Sequence, residues 1–126
     1  MDNSPTLVVI DDGNAFFESR GKWLFPLFDL EDYLETHPLD LSKAGIRDKV
    51  VGKAAALLAL KLGFRRIHGD LMSDLAVEIL EKAGVAYSYD SRVPQVNCQT
   101  EVILKDVDDL EHAYQILCER AKRCSY

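Results

Sequence analysis

The chain has 126 residues, 48% hydrophobic and 29% charged, which is the balance of a soluble globular protein with one two- or three-layer core. Its formal net charge of −6 argues against a general nucleic-acid binder, which would need a basic face, but is compatible with a local basic site for a small anion. Its three cysteines, Cys98, Cys118 and Cys124, show no paired short spacing, so neither a disulfide framework nor a zinc knuckle is predicted.

The first half of the chain predicts a hairpin and two helices. TLVVIDD and AFFESR are rich in β-forming residues, and the DGN between them favours a turn. Pro26 is able to open a helix through FDLEDYLET, which ends at His37-Pro38. Residues 39–47 are ambiguous and could hold a short strand. The apolar run that follows predicts a central helix ending near residue 62, with Asp48 as its cap.

The second half predicts alternating strands and helices. FRRIHGD is a strand, Ser73 is an N-cap for the next helix, and Gly84 ends that helix. VAYSYD is another strand, after which Pro94 argues against a central strand. An amphipathic helix follows at about 108–122. A hairpin followed by alternating helix and strand implies one α/β domain over residues 1–126, with a mixed sheet and helices on both faces.

Neither a signal peptide nor a membrane span is indicated. MDNSPTLVVIDD lacks a basic segment followed by a long apolar run, and AAALLAL is far too short to cross a bilayer. We therefore expect a cytoplasmic protein with reduced thiols and with neither a membrane nor a nucleic acid as partner. The sequence leaves open whether the protein forms a homo-oligomer.

The start of the predicted central helix is a candidate anion site. Lys49 and Lys53 would lie one helical turn apart beside Gly52, at the positive end of the helix dipole. Both charges become favourable if an anion binds to the free backbone N–H groups there. The alternative is that the lysines are solvated and the glycine permits close packing. A P-loop is excluded, because Gly45 has the wrong spacing and Ala54 replaces the hydroxyl that would bind Mg²⁺.

Two further groups of residues are candidates for ligand binding or catalysis. His68, Asp70 and Ser73 fall where a strand gives way to a helix, and ligands bind at such edges of parallel sheets. An ordinary loop histidine and a simple helix cap are the alternatives. Cys98 and Glu101 lie in the irregular segment after Pro94, where the cysteine could act as a nucleophile if a base or cation lowers its pKa. A half-buried structural thiol is the alternative there.

Two segments resemble the signature of domain-of-unknown-function family 1893. They are SRGKWLFPLFDL and RDKVVGKAAALL, which carry Ser19, Gly21, Lys22, Pro26 and Leu27, then Asp48 through Ala56. The Met72-Ser73 helix start and the stretch from Tyr87 to Pro94 are also similar to the family. The resemblance covers about residues 7–104.

The resemblance implies a cytidine-deaminase-like fold, a three-layer α/β/α sandwich around a mixed sheet. In deaminases the central helix begins with His-x-Glu or Cys-x-Glu, and the next begins with Pro-Cys-x-x-Cys. The matching places here read DKVVGK (48–53) and DLMS (70–73). Because no zinc ligand set stands at either place, we expect no metal cofactor and no zinc-dependent deamination.

The chain departs from the family pattern in two respects. Family members usually carry an Asn-Arg-containing loop before a Cys-Pro-Met-Glu motif. Here the loop is shortened to Gln95-Val96-Asn97, and the motif that follows reads CQTE, which keeps Cys98 and Glu101. Family members also tend to begin with an amphipathic helix, whereas this chain begins with a strand. We expect the helix at about 108–122 to fill that vacated place on the sheet.

The leading hypothesis is a zinc-free deaminase-like domain that binds an anionic nucleotide- or ADP-ribose-like ligand at Lys49, Gly52 and Lys53. The other candidate residues, His68, Ser73, Cys98 and Glu101, would line the same cleft. One alternative is an enzyme with Cys98 as nucleophile and Glu101 or His68 as its acid–base partner. A second is a structural or partner-binding module without an active site.

Overall fold

The computed structural model describes residues 6–11, 14–20, 24–37, 41, 43–96, 103–104, 106–107 and 109–121. Its strands are β1 (Leu7–Asp11), β2 (Asn14–Ser19), β3 (Ala44–Val51), β4 (Arg66–Ser73) and β5 (Ala86–Val93). Its helices are α1 (Phe25–Thr36), α2 (Lys53–Leu62), α3 (Asp74–Ala83) and α4 (Leu110–Ala121). None of these helices is long and apolar enough to cross a membrane.

The strands form one mixed sheet in the order β2-β1-β3-β4-β5. β1 pairs antiparallel with β2 and with β3, whereas β3, β4 and β5 run parallel. The α/β class and the mixed sheet are therefore confirmed. The hairpin, the helix opened by Pro26 and the cap at Ser73 are confirmed as well.

The predicted start of the central helix was wrong. Residues 44–51 form β3, and α2 begins only at Lys53, after an N-cap glycine with extended backbone (φ −96°, ψ −173°). The first part of the apolar run contains IRDKVV, whose β-branched residues suit a strand. β3 lies between β1 and β4, so ladder hydrogen bonds on both sides favour the strand over a longer helix.

One face of the sheet is packed against the helices. Ile46 of β3 and Ile67 of β4 are 3% exposed and belong to the same core cluster as buried residues of α1, α2, α3 and α4. α2 is buried nearly all round, from Lys53 to Ala59, because it packs against α3 and α4 as well as the sheet. It is the central helix of the domain.

The opposite face, which we call the open face, carries partly exposed side chains. The predicted helices on both faces are not found among the described residues, whose helices all pack on the other face. Alternation along the strands places Arg47 and His68 there, next to the buried Ile46 and Ile67. Among the described residues, those that line a groove of about 320 Å³ on this face all belong to strands.

The final helix, α4, does not cover the open face. α4 packs on α2, and its Tyr114 hydroxyl donates to Glu31 of α1 at 2.7 Å. The expectation that this helix covers the vacated sheet face is therefore wrong. Its apolar residues Ala113 and Leu117 complete the helical side of the core instead.

Candidate functional site

Two helix N-termini lie side by side at the carboxyl edge of the parallel strands. β3 leads into α2 and β4 leads into α3, and the register pairs Val51 with Met72 at the ends of these neighbouring strands. Gly52 caps α2 without a side-chain hydrogen bond. Ser73 caps α3, since its hydroxyl accepts the N–H of Ala76 at 3.1 Å. The hydroxyl therefore already serves the helix.

Lys53 is the first residue of α2 and is only 2% exposed. Lysine is rarely buried to this extent, because an ammonium loses its hydration. The helix dipole adds to the cost, since the positive charge lies at the positive end of the helix. Gly52 and Ser73 are buried beside it, so these three predicted site residues meet at one edge of the sheet.

Lys49 lies elsewhere than predicted. It belongs to β3, between Asp48 and Val50, which pair with Gly69 and Leu71 of β4. Lys49 and Lys53 therefore do not lie one helical turn apart, and the pairing places Lys49 level with the residue after Gly69. The two lysines do not form a single anion-binding site on one helix.

His68 is also separated from the helix starts. It lies five residues before the end of β4, roughly 16 Å along the strand from Ser73 at 3.3 Å per residue. It faces the groove on the open face, with Arg47 and Ser88 among its neighbours. The structure therefore gives His68 different neighbours from Lys53.

Cys98 and Glu101 lie outside the described residues, so the nucleophile and its acid–base partner stay predictions. Cys118 is buried in α4 at 4% exposure.

Asp48 is a residue that the sequence reasoning assigned wrongly, as a helix cap. It lies half-buried within β3, and the pKa of its carboxyl is raised from 3.8 to about 7, chiefly because burial disfavours the charged form. Hydrogen bonds from the backbone N–H groups of Val50 and Lys49 partly oppose this rise, and the negative charge of Asp70 contributes to it. A carboxyl with a pKa near neutrality is able to accept and release protons under physiological conditions.

A polar cluster on the open face joins His68 to Arg47, Ser88 and Asp90, which the sequence did not single out as site residues. Nε of Arg47 donates to Oδ1 of Asp70 at 3.1 Å, and Nδ1 of His68 lies 2.7 Å from Oγ of Ser88. Nε2 of His68 lies 3.5 Å from Asp70 and 3.4 Å from Asp90. The period-two spacing in HGD and SYD could have indicated this cluster, because alternate residues of a strand share a face.

The fold is of the α/β class with a mixed sheet, in which parallel strands lead into two adjacent helix starts. The profile of a family described as "Domain of unknown function (DUF1893)" matches residues 1–120. The chain belongs to this family, which confirms the resemblance found from its motifs.

The chain is similar to the crystal structure of a DUF1893 family protein (TM1506) from Thermotoga maritima, with 29% identity and a TM-score of 0.80. The similarity covers 92% of this chain and 80% of that one. No curated protein matches the chain.

Proposed function

We propose that this chain is a small cytoplasmic domain of deaminase-like fold that binds an anionic, nucleotide- or ADP-ribose-like ligand where α2 begins. The observation that carries the proposal is the burial of Lys53 at the first residue of that helix. A bound anion would be attracted both by this ammonium and by the positive end of the helix dipole. Phosphate groups are bound at helix N-termini in this way in many proteins.

The neighbouring backbone supports the same ligand chemistry. Gly52, the N-cap of α2, has no side chain that could cap the first turn or stand between it and a ligand. α3 begins on the next parallel strand, so its dipole points toward the same edge of the sheet. Two adjacent positive helix ends and an ammonium favour an anion with more than one charge.

The two adjacent helix starts that follow β3 and β4 support the deaminase-like assignment. In the deaminases that the family resembles, zinc would be held where α2 and α3 begin. This chain has Lys53 and Ser73 at those helix starts, and an ammonium and a hydroxyl are poor zinc ligands. The chemistry of these groups therefore favours an anion over a metal ion at this edge.

Native mass spectrometry of freshly purified protein tests whether such a ligand is retained. A thermal-shift panel of inorganic phosphate, AMP, ADP and ADP-ribose then compares the wild type with Lys53→Met, which removes the charge but keeps an unbranched apolar stem. Lys82→Met is the matched control, because Lys82 is exposed on α3 and pairs with Glu78.

We expect at least one phosphate-bearing ligand to raise the melting temperature of the wild type and of Lys82→Met but not of Lys53→Met. Loss of a charge-assisted hydrogen bond should weaken binding by about 10- to 100-fold. The proposal is wrong if no ligand co-purifies and no anion shifts the wild type more than Lys53→Met.

A further inference from the structure

We propose that His68, Asp70 and Asp90 form a binding site for a divalent transition-metal ion, with Zn²⁺ the best fit, on the open face of the sheet. Each side chain offers one ligand atom, and these atoms all lie within 4.8 Å of one another. The proposal is independent of the anion site, because it concerns other residues, on the open face rather than at the helix starts.

The strands hold the three ligands in place. His68 and Asp70 are two residues apart on β4, so their side chains share one face. β5 pairs with β4 in register, His68 opposite Ser88 and Leu71 opposite Ser91, which places Asp90 level with Asp70. The ligands are therefore carried by two hydrogen-bonded strands rather than by a loop, and binding needs little ordering of the backbone.

The distances from Nε2 of His68 to the two carboxylates are those between ligands on one metal ion rather than those of hydrogen bonds. Nε2 of His68 is 3.5 Å from Oδ1 of Asp70 and 3.4 Å from Oδ1 of Asp90. N–H···O bonds are about 2.9 Å long, so both contacts are stretched. Zinc lies about 2.1 Å from nitrogen and oxygen ligands, and tetrahedral geometry then separates neighbouring ligand atoms by about 3.4 Å.

Ser88 supplies the outer contact that metal-binding histidines usually have. Its hydroxyl oxygen lies 2.7 Å from Nδ1 of His68. When Nδ1–H donates to this oxygen, Nε2 carries a lone pair and faces the carboxylates of Asp70 and Asp90. Three electron-rich atoms then converge, and a cation between them would relieve their repulsion. The imidazole and its fixed orientation distinguish this cluster from a group of exposed carboxylates.

The mixed ligand set indicates the kind of ion. Imidazole suits zinc, copper, iron and nickel, whereas magnesium and calcium prefer oxygen ligands alone. Arg47 is a competitor, because its Nε donates to Oδ1 of Asp70 at 3.1 Å. Its side chain is 57% exposed and is able to turn toward solvent. Arg47→Gln should therefore tighten metal binding, on the order of fivefold for one charge removed a few ångströms away.

Isothermal titration of the metal-free protein with Zn²⁺ tests the site, and Co²⁺ gives a visible spectrum that reports nitrogen and oxygen ligands. We expect one ion per chain. His68→Gln and Asp90→Asn should each weaken binding by about 100-fold or more, and Ser88→Ala by about 10-fold, the effect typical of an outer contact. The matched controls are His112→Gln and Asp29→Asn, two exposed positions outside the cluster.

The proposal is overturned if Zn²⁺ does not saturate at one ion per chain, or if His68→Gln binds it as tightly as His112→Gln does. Each variant should keep the metal-free melting temperature of the wild type, because the substituted side chains lie on the open face. Lys53→Met should leave zinc binding unchanged, so failure of the metal site and failure of the anion site would be distinguishable.

Discussion

Replacing Asp48 with asparagine should stabilise the protein, and the gain should grow as the pH rises. The carboxyl lies in the middle of β3, where burial makes its charged form unfavourable. Asparagine keeps a side-chain oxygen that can accept the N–H of Val50, as Oδ1 of Asp48 does at 3.4 Å. It also has nearly the same shape, so the substitution removes the charge without creating a cavity.

The size of the effect follows from the pKa. Folding raises the pKa of Asp48 from its ordinary value of 3.8 to about 7, which corresponds to about 4 kcal/mol at 1.36 kcal/mol per pKa unit. Because the folded protein binds this proton more tightly than the unfolded chain does, ionisation lowers the free energy of unfolding. The loss is nearly absent below pH 4, grows between about pH 4 and 7, and is complete above that range.

Urea unfolding at pH 5 and pH 8, in the presence of a chelator, measures this difference. Asp48→Asn should exceed the wild type in free energy of unfolding by less than about 2 kcal/mol at pH 5 and by about 4 kcal/mol at pH 8. With a urea m-value of about 2 kcal/mol/M, the midpoint at pH 8 should rise by roughly 2 M.

A matched substitution separates this effect from a general change in net charge. Asp29→Asn removes an exposed carboxylate from α1, and its stability difference from the wild type should be the same at both pH values. The ¹³C shift of the Asp48 carboxyl provides a direct second measurement. A titration midpoint below pH 5, or an equal effect of Asp48→Asn at pH 5 and pH 8, would refute the reasoning.

Two further substitutions test the packing around the sites. Gly69→Ala should cost about 1–3 kcal/mol by overpacking, because its Cβ would lie 2.8 Å from Cγ2 of Val51. Gly45→Ala, where the nearest heavy atom lies 3.7 Å away, should change the thermal midpoint little, and an equal loss at both glycines would contradict the argument. Ser73→Ala should cost about 1 kcal/mol in chemical denaturation, since the N–H of Ala76 loses its cap; Ser73→Asn, which restores a capping oxygen, should recover part of it.

Local signals were sufficient for several elements. The turn residues between two β-rich runs predicted the hairpin, and Pro26 and Ser73 marked helix starts at the right places. Gly63 and Gly84 end their helices with positive φ values of 104° and 71°, which glycine adopts readily. Such signals act within a few residues of chain, so they can be read without knowing the fold.

The strand at residues 44–51 shows where local signals fail. Val50 and Val51 precede a run of helix-forming alanines and leucines, and the whole segment reads as one apolar helix. In the folded chain, β1 and β4 both offer backbone hydrogen-bond partners to residues 44–51. That pairing joins residues far apart in sequence and outweighs helix propensity, which is a weak preference.

The sequence by itself determined the family, the α/β class, the hairpin and the helix starts marked by Pro26 and Ser73. Tertiary structure alone decided that Lys53 is buried, that Asp48 has a pKa near neutrality, and that the described helices leave one sheet face partly exposed. It also brought His68 and Asp90 together from neighbouring strands. Burial depends on which elements pack over a residue, and neighbours across a sheet depend on strand order and register. Both are set by contacts between distant parts of the chain, so no local pattern of residue types specifies them.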